Sequence, residues 1–159
     1  MSEYAKLKAA FKPLRSAPEA LPGWMQQQIL KYFKELDPSK AQQVGSSEGR
    51  YWLVPGRDEG CLFEMRKRGR PVAACTPAAI ALAHGFSIVS IRGMGKRGRG
   101  PYKRRVFGLV PDWVKRVRVR TGSAVAKSAV HHGIYNMSDW NYNPPDAISI
   151  WPRRAVASP

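Results

Sequence analysis

From residue 51 onward the chain is cut into short apolar runs, at 51–54, 61–65, 86–91, 105–110, 114–120, 123–130, 134–137 and 148–151, rich in β-branched and aromatic residues and separated by glycine, proline and charge. Runs this short suit strands, whereas an amphipathic helix needs its apolar residues to recur over three or more turns. Pro55-Gly56, Thr121-Gly122 and His132-Gly133 offer turns between them. The spacing predicts an antiparallel sheet, a sandwich or a partly open barrel of six to eight strands.

Helical signals lie mainly ahead of this region. Tyr4, Leu7 and Phe11 give a short helix over 4–12 one apolar face, and Pro13 and Pro18 interrupt it. Pro22 opens a second helix over 23–36, with Trp24, Ile29, Leu30, Phe33 and Leu36 as its stripe and Asp37-Pro38 as its end. Residues 39–50 are polar and carry Gly and Ser, the composition of a linker. One internal helix is expected over 77–84, with Thr76 as N-cap, Pro77 at the first helical position and Gly85 just past the end. The expected class is therefore α+β, mainly β, with N-terminal helices and one short internal helix. Its expected parts are an N-terminal helical segment and linker (1–50), a β-rich domain (51–151) and a tail (152–159).

Charge is the second constraint. The chain has 159 residues and a formal net charge of +16. Between residues 66 and 127 sixteen Lys and Arg face a single carboxylate, Asp112, so nearly all the excess lies in that stretch. Such a field attracts polyanions. Two features concentrate it. A glycine-spaced loop carries Arg92, Lys96, Arg97, Arg99, Tyr102, Lys103, Arg104 and Arg105, where arginine supplies forked phosphate contacts and tyrosine a stacking face. Arg116, Arg118 and Arg120 alternate with Val117 and Val119, which puts three guanidinium groups on one sheet face. The competing explanation is a solvated surface that serves solubility alone. If the charge is functional, the partner is an anionic polymer, an anionic membrane surface or a nucleic acid.

Other chemistries find little support. No segment approaches the roughly 20 apolar residues of a membrane-crossing helix, and residues 1–15 lack the continuous apolar run of a signal peptide. Cys61 and Cys75 are the only cysteines, and without a CxxC or further ligands they do not suggest zinc. Cys75 with His84, His131 or His132 would imitate a thiol–imidazole pair, but no local signature accompanies it. Glu64, Asp112, Asp139 and Asp146 form no evident acid–base pair. Gly93, Gly95, Gly98 and Gly100 are not followed by a helical pattern, so no nucleotide fingerprint and no cofactor is expected. Residues 135–145 are rich in aromatic side chains and read either as a carbohydrate or partner platform or as cover for a small core.

Several landmarks in order carry a resemblance. They are Phe11-Lys12-Pro13-Leu14-Arg15, Ala20-Leu21-Pro22, Trp52-Leu53-Val54-Pro55-Gly56, Cys61-Leu62, Cys75, Gly108-Leu109-Val110-Pro111-Asp112 and Gly133-Ile134-Tyr135. Over roughly residues 11–137 the chain resembles a group of uncharacterised actinobacterial β-rich proteins, often exported or membrane-tethered. The resemblance implies an extracytoplasmic β domain and assigns no catalytic residue. It also implies a Cys61–Cys75 disulfide, because an oxidising compartment favours one; two separate buried thiols are the alternative. The expected function is a non-catalytic binding or structural module that uses its basic surface on an anionic partner at the cell envelope. The alternatives are a cytoplasmic nucleic-acid-binding protein and, third, a thiol-dependent or hydrolytic enzyme.

Overall fold

A computed structural model describes residues 1–45, 51–65, 71–93, 103–140 and 145–152, with 91–93, 103 and 138–140 described by their backbone alone. The chain forms two compact units, Met1–Leu82 and Ala83–Pro159. The class is α+β and mainly β, with three antiparallel sheets that do not close into a barrel among the described residues.

The first unit begins with α1 (Glu3–Ala10). Ser2 caps it by accepting from the Ala5 N–H at 3.1 Å, and Arg15 donates to the free carbonyls of Lys8 and Ala9 at the other end. Leu7 and Phe11 are fully buried, as their spacing predicts. α2 (Gly23–Tyr32) is shorter than expected and turns a different face inward. Met25 and Ile29 are buried, while Trp24 and Leu30 are 44% and 57% exposed. The chain leaves the helix at Phe33, and Leu36 then bridges to Gly56 while the Asp37 N–H donates to the Pro55 carbonyl. Phe33 thus caps the helix and Leu36 lies beyond it, though both still pack into the same core as Ile29.

The first sheet is a meander of β1 (Gln42–Val44), β2 (Tyr51–Pro55), β3 (Glu59–Glu64) and β4 (Val72–Pro77). β1 lies in the stretch expected to be a linker. Its polar residue Gln42 is buried because the side-chain amide donates to the Ser16 and Ala17 carbonyls at 2.9 and 2.6 Å. Trp52, Val54, Cys61 and Phe63 share a core cluster with Met25, Ile29 and Leu36. Leu53 and Leu62, on the opposite face, are buried too, which is why β2 and β3 read as unbroken apolar runs.

β4 replaces the expected cap. Thr76 and Pro77 pair with Gly60 and Glu59 as strand residues, and α3 (Ala78–His84) begins only at Ala78, whose N–H donates to the Asp58 carbonyl. The expected end at Gly85 holds: its φ is +79°, and a Cβ there would lie 2.6 Å from the Leu109 carbonyl oxygen.

The second unit holds two three-stranded sheets. One has the order β5 (Phe86–Gly93), β6 (Lys103–Leu109), β9 (Ile134–Trp140); the other has β10 (Ala147–Trp151), β7 (Arg116–Thr121), β8 (Ala124–Ala129). Val106, Val110, Val114, Val117, Val119, Tyr135 and Ile150 form their common core. Ser87, Gly108 and Tyr135 stand in one row across β5, β6 and β9. The Tyr135 ring lies over Gly108 so closely that a Cβ there would overlap it. Burial pushes the Tyr135 phenol well above its ordinary value, and the Ser87 side chain offsets part of the rise. β8 and β9 meet in a two-residue turn: His132 and Gly133 have φ of 53° and 76°, and His131 and Ile134 exchange both backbone hydrogen bonds. Positive φ at both central residues is the turn that matches strand twist.

Candidate anion-binding face

β7 is the middle strand of its sheet, and its pattern alternates strictly. Val117 and Val119 are fully buried in the core, so Arg116, Arg118 and Arg120 project from the other side and are exposed. Register then decides what flanks them. On β8, Ala129 faces Arg116, Lys127 faces Arg118 and Val125 faces Arg120. On β10, Trp151 faces Arg116, Ser149 faces Arg118 and Ala147 faces Arg120. The result is a cationic row bordered by a fourth cation, small side chains and one indole.

A groove of about 440 Å³ opens on this face, with Lys115, Arg116, Arg118, Lys127, Trp151 and Pro152 in its lining. Trp151 remains 38% exposed there. Among the described residues, Arg116, Arg118, Arg120 and Lys127 form no ion pair. The carboxylate of Asp146, at the Arg120 end of the sheet, accepts from the Gly122 N–H at 2.6 Å and so braces the β7–β8 turn. Like charges directly opposite one another destabilise a sheet. Arg118 and Lys127 therefore carry a standing repulsion that an anion over the face would relieve.

Lys96, Arg97, Arg99 and Tyr102 lie outside the described residues, as do the side chains of Arg92 and Lys103. Arg104 and Arg105 belong to β6, in the other sheet, and both are half-buried. Arg105 faces Ser90, and its Nε is buried without a hydrogen-bond partner among the described residues. Lys115, Lys127 and Trp151 were not singled out by sequence reasoning. The signal that finds Lys127 and Trp151 is register: once β7 is central, they are the residues opposite Arg118 and Arg116.

The remaining candidates behave differently. Cys61 and Cys75 face each other across β3 and β4 with their sulfurs at disulfide distance, 1.97 Å. His84 Nδ1 lies 3.0 Å from the Ile148 carbonyl oxygen, and His131 and His132 belong to the β8–β9 turn. Among the described residues no group of three His, Cys, Asp or Glu is placed to hold a metal, and no helix is long and apolar enough to cross a membrane. The aromatic stretch divides: Tyr135 fills the core, while 141–144 and the side chain of Trp140 lie outside the described residues. A second groove, of about 300 Å³, is lined by Met25, Ile29, Tyr32, Phe33 and Phe63, with Gln28, Pro71 and Ala73, and among the described residues offers no ionisable group other than the Tyr32 phenol. No protein-family description, no curated protein and no solved structure matches the chain.

Proposed function

We propose that this protein is a non-catalytic binding or structural module that holds an anionic partner against the outer face of β10–β7–β8. The observation that carries this reading is the row of Arg116, Arg118 and Arg120 with Lys127 in register beside it, exposed and without ion pairs among the described residues. Interspersed charges of both signs are the usual composition of a solubilising surface. Here a cation is placed opposite a cation. Pairing of the only two cysteines suits an oxidising compartment, which supports an extracytoplasmic or envelope location like that of the actinobacterial proteins the sequence resembles.

The test is a salt series of binding to heparin, single-stranded DNA and anionic vesicles, with the parent chain and with Arg116, Arg118 and Arg120 all changed to Gln. Binding that weakens steeply with salt, and a flatter log–log slope in the variant, supports the reading. A parent that binds none of the three at low salt refutes it.

A further inference from the structure

We infer that the partner of this face is a single-stranded nucleic acid, with one base stacked on Trp151 and the backbone phosphates on Arg116, Arg118 and Lys127. The inference rests on the anion-binding reading above and deepens it. Cations alone do not distinguish among polyanions; Trp151 does. It pairs in register with Arg116, lines the same groove as Arg118 and Lys127, and keeps over a third of its surface exposed. Sugar faces and bilayer interfaces also take up an indole; a single strand adds to it a phosphate at every stacked base. A duplex hides its base faces inside its own stack. A single strand offers phosphates and open π-faces together, and proteins that hold one combine a cationic track with aromatic platforms.

The neighbours suit the same occupant. Ala129 and Ser149 stand beside Arg116 and Arg118, so a flat base meets no bulky side chain from these two positions, while the exposed Val125 lies at the Arg120 end. Arginines at every second residue recur about 6.8 Å apart along a strand, which gives an extended, flexible backbone successive contacts. Arginine also stacks on bases as well as bridging phosphate oxygens.

The experiment titrates the full chain with oligo(dT), with a duplex and with heparin, for the parent, Trp151→Leu, Trp151→Phe and the pair Arg118→Gln with Lys127→Gln. Trp151→Leu should weaken oligo(dT) binding by roughly 5- to 150-fold, the effect of losing one stacked base, and weaken heparin binding much less. Trp151→Phe should recover part of the loss and serves as the readout if the leucine variant misfolds. Quenching of intrinsic fluorescence by oligo(dT) should shrink in both. Equal weakening of heparin and oligo(dT) by Trp151→Leu, or tighter binding of duplex or heparin than of oligo(dT), overturns the stacking inference. In that case the anion-binding reading survives if the Arg118→Gln, Lys127→Gln pair still weakens heparin binding, and falls if that variant binds every probe as the parent does.

Discussion

Arg118 and Lys127 stand directly opposite each other across β7 and β8, two exposed cations paired where a sheet would be steadier with opposite charges. Lys127→Glu turns the pair into a cross-strand ion pair. It should raise unfolding stability by about 0.5–1 kcal/mol at low salt while weakening polyanion binding. Urea midpoints and a binding isotherm on the same samples check both. Loss of stability, or unchanged binding, contradicts this account of the face.

Gly108 is fixed by the Tyr135 ring that crosses it. Gly108→Ala should destabilise the chain by about 1–3 kcal/mol, the usual effect of overpacking a closed core. In a Tyr135→Ala background the same change should cost far less, because the clash is gone. Additive costs in the double variant would show that the two residues do not meet.

The buried Tyr135 phenol links stability to alkaline pH. Its proton is held more tightly in the folded chain than its ordinary value of 10.0 would allow. Below that value the group is protonated whether the chain is folded or not, so its contribution is fully present. Above it, the unfolded chain releases the proton first, and stability falls by up to about 1.4 kcal/mol per pH unit until the folded form also ionises. Denaturation of Tyr135→Phe between pH 9 and 11.5 should show a shallower decline than the parent. Parallel curves would refute the linkage.

Cys61 and Cys75 are in register on neighbouring strands and 14 residues apart. Protein prepared under oxidising conditions should present no reactive thiol after denaturation, and reduction should lower stability by about 3 kcal/mol. Two titratable thiols in the oxidised sample would remove this support for an oxidising compartment.

Most strands were legible because their signals were local. The runs around Trp52, Phe63, Phe107 and Val117 combine β-branched or aromatic residues with flanking turns, and Gly85 and His132-Gly133 mark turns where positive φ is needed. β1 was not legible, since Gln42 is buried through hydrogen bonds to residues far back in the chain. β4 was masked by Thr76 and Pro77, which imitate a helix start while pairing with β3. In the candidate site, alternation alone placed Arg116, Arg118 and Arg120 on one face. Lys127 and Trp151 needed strand order, which no local pattern contains.

The alternation of Val117 and Val119 with the three arginines also bears on how the chain avoids misfolding. A strand paired one residue out of register turns every side chain to the opposite face. For β7 such a slip would drive Arg116, Arg118 and Arg120 into the space now filled by valines and push the valines into water. Buried, unpaired guanidinium groups are among the most unfavourable states a core can hold. The charged row thus acts as a lock on strand pairing before any partner arrives. Variants that replace these arginines with leucine or valine should fold to mixed registers, whereas glutamine keeps the lock while removing the charge.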